Sequence, residues 1–466
     1  MKRSLSFLGV IIVKNNFIEI QSKEDLIKPF QDGEKKPSDF KIGTEHEKFV
    51  FHLNTHKPVS FSEKKGIENL LIALKKYGWE SIIEDGKTIG LTRDKSLGGG
   101  TITLEPAGQL ELSGAPLSNI HETFNELDEH RDQISKEGSN LGLGFLGAGL
   151  TPDWSFDEMP IMPKSRYQIM KNYMPKKGNL GLDMMFRSTT IQVNLDYSSE
   201  NDMVKKLKVS LALQPIATAL FANSPFLDGN LTGYKSFRSH IWTDTDPDRT
   251  GMLPFVFDGE MSYEKYVDYA LKVPMYFIYR DGNYLDVSGL SFESFLNGNL
   301  EQLPNEKPSL TDWENHLTTI FPEVRLKSFL EMRGADGGSF ENVCALSSFW
   351  VGLLYNSDSL NSSFELIKNF NINQLQELRV EVAKNGLNSI INNINIRDIA
   401  KEVLNLSREG LKARNILNEN GDNEEIYLDP LKKILSSGNS SSDDLIQKFS
   451  NNWDKNLVNM YKEYTF

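Results

Sequence analysis

A single cysteine, Cys344, stands in 466 residues. One thiol cannot close a disulfide within the chain, so a disulfide framework is excluded and a reducing compartment fits. Basic residues are outnumbered: 51 Lys and Arg against 64 Asp and Glu leave a formal charge of −13. A nucleic-acid binder carries a basic footprint, so that class is set aside, and an anionic substrate has to be held by local arginines and metal rather than by the overall field. Long apolar runs are missing too. The stretch MKRSLSFLGVIIV has a basic start and an apolar run from Leu5 to Val13, but no A-x-A-like cleavage site follows and the run is too short to span a bilayer. It reads as a leader or edge element, no other stretch qualifies as transmembrane, and the expectation is a soluble, cytoplasmic protein. A phosphate-cradling loop is absent as well: Gly98-Gly99-Gly100 lacks the Gly-Lys-Ser/Thr ending and precedes a strand pattern. Nothing resembles a nucleophile elbow.

What is present is carboxylates on strands. In Gly98–Ser113, GGGTITLEPAGQLELS, Thr101, Thr103 and Glu105 alternate with Ile102 and Leu104, and Gln109, Glu111 and Ser113 alternate with Leu110 and Leu112 on the return. The spacing predicts a β-hairpin turning at Pro106–Gly108, with Glu105 and Glu111 on one face. In Ile42–Phe51, IGTEHEKFVF, Glu45 and Glu47 project from one face of a strand, and Thr44, His46 and Lys48 from the other. Two like charges 4 Å apart repel by roughly 4 kcal/mol at an effective dielectric near 20. A face that gathers several carboxylates therefore needs a cation or raised pKa values, and hard oxygen donors favour magnesium or manganese over zinc. Taken alone, Glu-x-Glu reads as a solvated strand face.

Along the chain, Glu24–Lys36 reads as a short polar helix or linker, and helices are predicted for Ile67–Tyr77 ended by Gly78 and from an N-cap at Ser118 along a stripe of Ile120, Phe124, Leu127 and Ile134. Further helices are expected at Ser165–Met174, Met203–Asn223 through Pro215, Tyr263–Leu271 and Leu310–Ile320. Strands are expected at Leu141–Leu150, Thr189–Asp196, Val273–Arg280 and Arg325–Arg333, and Phe237–Gly251 reads as a polar loop carrying His240, Asp244, Asp246 and Arg249. From Phe364 onward the chain is Asn-rich, strand-poor and helical, with a disordered or looped break expected at Ser436–Ser442. Because strands and helices do not alternate regularly, the class is α+β with a mainly antiparallel sheet. The division expected is a leader and helix over 1–36 and one domain over 37–466 whose C-terminal part, about 364–466, is helical.

Four strands thus supply same-face polar pairs: Glu45/Glu47, Glu105 with Glu111, Gln192/Asn194 and Glu331/Arg333. Four such pairs, each with apolar alternates, favour a metal site over solvated faces. The runs GTEHEKF, GGGTITLEPAGQLELSG, MPKSRYQIMKNYMP, GLDMMFRSTTIQVNLD, LALQPIATALFANSPF, RSHIWTDTDPDRTGMLPF, LTDWENHLTTIFPEVRLKSFLEMRGADGG and FWVGLLY, in this order over residues 20–460, resemble the plant and proteobacterial type of glutamate-cysteine ligase.

That resemblance implies a glutamine synthetase-like catalytic fold, a curved antiparallel sheet forming one wall of a funnel with helices behind it. It implies ATP-dependent condensation of L-glutamate with L-cysteine to γ-glutamylcysteine, the first step of glutathione synthesis, by a monomer or non-covalent homodimer. It implies two or three magnesium ions, manganese being possible, on Glu45, Glu47, Glu105, Glu111, Gln192 and Glu331, where Gln192 stands in a place commonly held by His. It also implies Arg166 and Arg238 for the glutamate α-carboxylate and Tyr276 near the amino-acid acceptor. Arg333, beside Glu331, is the candidate to follow the transferred phosphoryl group. A metal-dependent phosphohydrolase and a γ-glutamyl ligase with another amine acceptor are the rival readings. Plant members of the resembled family are activated by intramolecular disulfides, which a lone Cys344 cannot form.

Overall fold

The structure, a computed structural model, describes residues 18–391 and 394–466, so the apolar run from Leu5 to Val13 lies outside the described residues. A nine-stranded sheet organises the chain. Its strands are β1 (Ile42–His52), β2 (Trp79–Glu84), β3 (Lys87–Arg93), β4 (Thr101–Leu104), β5 (Leu110–Ser113), β6 (Leu143–Leu146), β7 (Thr190–Leu195), β8 (Val324–Leu326) and β9 (Leu330–Asp336). The order is β8-β9-β7-β1-β5-β4-β3-β2, β6 pairs with the C-terminal half of β1, and every pairing is antiparallel. The sheet is open rather than a closed barrel, and the α+β class expected from the irregular element order holds.

One face of the central strands is apolar because period-2 alternation puts Ile191, Val193 and Leu195 of β7 together with Leu330 and Met332 of β9, all buried. The helices Glu200–Leu220, Phe340–Leu354 and Ile120–Leu141 pack against the sheet. Phe340–Leu354 is buried nearly all round, as a helix that is apolar on every side must be. Truncating one such core side chain, for example Leu195→Ala, costs roughly 2–5 kcal/mol. β1 departs from this simple alternation. His46 and Lys48, on the face away from the carboxylates, are also buried, with Lys48 Nζ donating to the His46 carbonyl at 2.9 Å.

Several boundaries differ from the sequence reading for local reasons. The long helix is capped by Asn119 rather than Ser118, since Asn119 Oδ1 accepts from the Glu122 amide at 2.9 Å. Arg325–Arg333 is not one strand but the β8–β9 hairpin, closed where the Lys327 amide donates to the Phe329 carbonyl at 2.8 Å. Only Phe277–Arg280 of the Val273–Arg280 run is strand, and Phe237–Gly251 contains a short helix, Phe237–Ile241. The Ser436–Ser442 break is a tight joint: Gly438 ends one helix at φ +81°, and Ser440 and Asp443 cap the next reciprocally.

Cys344 is 2% exposed inside Phe340–Leu354, and burial pushes its thiol up to about 12. A thiol so placed is neither nucleophilic nor within reach of a partner cysteine. In the native protein an aromatic disulfide reagent should therefore label less than roughly a tenth of a thiol per chain, rising to one on unfolding. Rapid stoichiometric labelling before unfolding would contradict this placement.

Candidate active site

The polar face of the sheet meets the helix Ser165–Tyr173 and the segment Thr318–Phe321 across a cavity of about 130 Å³. Glu45 and Glu47 of β1, Glu111 of β5, Gln192 of β7 and Glu331 and Arg333 of β9 line it from the sheet. Glu105, in the turn after β4, joins them, while Arg166 and Tyr167 close the cavity from the helix. The alternations read in four separated stretches thus converge because antiparallel register places Glu47 opposite Glu111, Glu45 opposite Gln192, and Glu331 opposite Asn194.

The hairpin turn that carries Glu105 needs a left-handed residue. Gly108 supplies it at φ +82°, its amide donating to the Glu105 carbonyl at 2.9 Å. Gln109, expected on the polar face, is spent on the scaffold: its amide nitrogen donates to the carbonyls of Met185 and Ser188, at 3.2 and 3.0 Å.

The acids are held differently. Thr103 Oγ1 and Ser113 Oγ donate to the two oxygens of Glu111 at 2.6 and 2.8 Å. The Thr190 amide donates to Glu47 at 3.0 Å and Asn194 Nδ2 to Glu45 at 2.9 Å. Glu331 instead sits in a guanidinium fork, one oxygen taken by Arg325 Nε and the other by Arg325 Nη2 at 2.8 Å, with Arg333 Nη1 3.4 Å away. The Gln192 carbonyl oxygen accepts from Arg333 Nη1 at 2.7 Å. Among the described residues no three His, Cys, Asp or Glu side chains converge closely enough to hold an ion unaided.

Electrostatics separate these groups further. Burial, then the neighbouring charges of Glu331 and Glu111, lifts Glu45 to about 8. Burial with Glu105 and Glu111 holds Glu47 well above the carboxylate range, and Glu105 is raised by burial and by Glu111. Glu331 moves the other way: Arg325, Lys327 and Arg333 overcome its burial and hold it below the usual range. A carboxylate whose folded pKa is raised favours the fold fully below its unfolded value, near 4.5, and loses that contribution as pH rises through about 8. In chelator, Glu45→Gln should therefore melt higher than the parent at pH 9, by about 1–2 °C, with the gap closing by pH 5. A gap that is absent at pH 9, or of opposite sign, would remove Glu45 from the like-charge cluster.

Arg238 is buried and lies beside this cavity rather than in it. It lines a small adjoining pocket with Trp242 that shares Phe321 and Arg333 with the main cavity, and its Nη2 donates to the Arg333 carbonyl at 3.2 Å. Tyr276 is not brought to either cavity lining. Its ring lies 3.8 Å under the Arg249 guanidinium, packed edge-on against Tyr173, and its neighbour Phe277 reaches the cavity instead. The conspicuous loop is largely scaffold. Arg249 pairs with Asp246 at 2.6 Å and donates to the Thr319 carbonyl at 3.0 Å, fixing part of the cavity wall. Asp244 accepts from Asn179, and His240 stacks on Tyr234.

Two charged cavity residues escaped the sequence reading, Arg325 and Lys327. Both share the parity of Glu331 and Arg333 in RLKSFLEMR, which was the available signal. In the folded hairpin Arg325 stands opposite Glu331, and Lys327 lies in the connection, half-buried near Glu331 and Glu45.

Comparisons with known proteins identify the family. Residues 41–463 match the model of Glutamate-cysteine ligase family 2 (GCS2). Glutamate–cysteine ligase B, chloroplastic, of Oryza sativa subsp. japonica is 48% identical over 445 residues, covering 96% of this chain and 87% of that protein. The chloroplastic glutamate–cysteine ligase of Arabidopsis thaliana is 48% identical over 446 residues, covering 96% and 83%. A crystal structure of glutamate–cysteine ligase from Francisella tularensis in complex with AMP shares the fold, with a TM-score of 0.53 at 14% identity over 92% of this chain and 90% of that one. The cytoplasmic expectation is corrected by the plant relatives, which are named chloroplastic. Among the described residues no helix is long and apolar enough to cross a membrane. By a family match over nearly its whole length and by relatives at 48% identity, the chain belongs to glutamate-cysteine ligase family 2.

Proposed function

We infer that this chain joins the γ-carboxylate of L-glutamate to the amine of L-cysteine with cleavage of ATP to ADP and phosphate. The observation that carries the reading is one cavity in which carboxylates face each other across β1 and β5 while Arg333, Arg325 and Lys327 stand beside them. Acids in pairs and cations in the same space are what a polyphosphate, a divalent ion and an amino acid require together. The relatives named above are glutamate–cysteine ligases, and the Francisella protein was crystallised with AMP.

A carboxylate does not react with an amine at neutral pH, because oxide is a poor leaving group. The γ-carboxylate oxygen therefore attacks the terminal phosphorus of ATP and ADP departs. The cysteine nitrogen then attacks the acyl carbon of γ-glutamyl phosphate, and phosphate leaves with one oxygen of the original carboxylate. No protein nucleophile is required; the chain positions the reactants and neutralises charge. Arg333, directed by Gln192, follows the transferred phosphoryl group, and Lys327 and Arg325 add positive charge at the same wall. Arg166 and Arg238 hold the glutamate α-carboxylate from the two adjoining pockets. Tyr276 supports the acceptor side only through Phe277 beside it.

The donors fit magnesium or manganese: Glu45, Glu47, Glu105 and Glu111 are hard oxygens, and burial with the nearby charge of Glu111 raises the pKa of the other three. Magnesium commonly takes one or two carboxylates and completes its shell with phosphates and water, so the lack of a three-acid group among the described residues suits it. When bound it would neutralise charge on the phosphates. Glu331 and Gln192, first read as ligands, we assign to holding Arg325 and Arg333, since those arginines already occupy their oxygens.

The test of the acyl phosphate is oxygen transfer. Glutamate labelled with ¹⁸O in its γ-carboxylate should deliver one labelled oxygen to each phosphate released during turnover with cysteine. Unlabelled phosphate would sink the sequence of steps. Arg166→Lys and Arg238→Lys should each raise the glutamate KM by about tenfold or more with the ATP KM within about twofold, because a point charge replaces a bidentate fork. Unaltered glutamate saturation in both would move the α-carboxylate site elsewhere.

A further inference from the structure

Strand β9 is not regular: its pairing with β7 shifts between Met332 and Ala335, and the bulge contains Arg333 and Gly334. A bulge redirects the side chain it carries, but its unpaired backbone groups must find other partners. Here each one does. The Arg333 amide donates to the Glu323 carbonyl at 3.1 Å, and the Arg333 carbonyl accepts from Arg238 Nη2 at 3.2 Å. The Gly334 carbonyl accepts from Thr218 Oγ1, on the helix Glu200–Leu220, at 3.1 Å. Thr218 is 3% exposed and lies behind the sheet, outside both cavities. A threonine within a helix ordinarily returns its hydroxyl to the carbonyl four residues back. Thr218 sends it instead across the interface to the bulge.

The contact is close for a second reason. A Cβ built on Gly334 would lie 2.5 Å from Gln214 Nε2 and 2.7 Å from Gln214 Cδ, one helical turn before Thr218. The helix thus presses Gln214 against the bulge while Thr218 bonds to it, and a side chain at position 334 would have to displace the Gln214 amide.

We propose that Thr218 is a positioning residue for catalysis: its hydroxyl pins the Gly334 carbonyl and so fixes the bulge that aims the Arg333 guanidinium at Gln192 and the cavity. The proposal rests on the role given to Arg333 above. Thr218→Val keeps the side-chain shape and removes the donor; Thr218→Ser keeps the donor. Thr218→Val should lower kcat by about fivefold or more with the ATP and glutamate KM values within about threefold, and Thr218→Ser should stay within about twofold of the parent kcat. Gly334→Ala, which displaces the bulge from the other side, should reproduce the loss. On an Arg333→Ala background both losses should shrink to less than about twofold, because residues acting through one group are not additive.

A full loss by Thr218→Val on that background, no loss in the parent, or failure of Thr218→Ser to restore kcat would each overturn the positioning role while leaving Arg333 in place. An unchanged kcat in Arg333→Ala alone would overturn the assignment of Arg333, and Thr218 with it. Melting temperatures of all variants separate these outcomes from loss of fold. If Thr218→Val does not fold, the Gly334→Ala pair with and without Arg333→Ala decides the question by the same criterion.

Discussion

Arg333→Ala should lower turnover by about 10²-fold or more while the glutamate KM moves by less than about threefold. The expectation follows from where the guanidinium is held. Gln192 accepts from its Nη1, Glu331 stands 3.4 Å from the same nitrogen, and the residue sits in the bulge of β9 beside the cavity. In the role proposed for it, this cation acts on charge that develops during phosphoryl transfer, which the ground-state substrate does not carry. Its loss therefore falls on kcat. Binding contacts predict the opposite split: if the glutamate KM rises tenfold at constant kcat, Arg333 is a substrate-binding residue and the phosphoryl group is met by Lys327 or Arg325.

The second large effect concerns Glu47→Gln and Glu111→Gln. These side chains oppose each other on β1 and β5, and Glu47 is held well above the carboxylate range by burial and by Glu105 and Glu111. Replacing either with its neutral isostere should raise the magnesium concentration needed for half-maximal activity by about tenfold or more. It should also lower turnover at saturating magnesium, because a charged hard ligand becomes a neutral one of the same size. The same substitution relieves like-charge repulsion, so the metal-free variants should be no less stable than the parent. Activity unchanged across the magnesium titration in both variants would dismiss the metal assignment.

The carboxylate face was legible because strand periodicity is short-range. Two residues of equal parity share a face wherever the strand ends up, so Glu45/Glu47 and Glu105 with Glu111 needed no tertiary knowledge. Which faces meet is a property of register. That Glu47 opposes Glu111, 64 positions on, or that Glu331 opposes Asn194, is decided by turns and core packing far from either residue.

The β8–β9 turn was missed because Lys327-Ser328-Phe329 contains none of the Gly, Pro, Asn or Asp signals on which turn reading depends. With that turn went the cross-strand pairing of Arg325 with Glu331, and with the pairing went the reason Glu331 is held by arginine. Lys48 was hidden for a different cause: an ammonium on a strand face reads as solvent-exposed, yet its Nζ is buried against the His46 carbonyl. Tyr276 was assigned by resemblance alone, and nothing local distinguishes it from Phe277, the neighbour of opposite parity that lines the cavity.

Ligation and hydrolysis at the carboxylate and arginine cavity, and cysteine and other amines as acceptor, are separated by a single assay. The direct measurement is phosphate released from ATP with no amino acid, with glutamate alone, and with glutamate plus a panel of amines, alongside identification of the product by mass. The account predicts the largest stimulation with cysteine, one phosphate per γ-glutamylcysteine formed, and little release without an acceptor. Release at the full rate without any amine, or a larger stimulation by an amine other than cysteine, would contradict it.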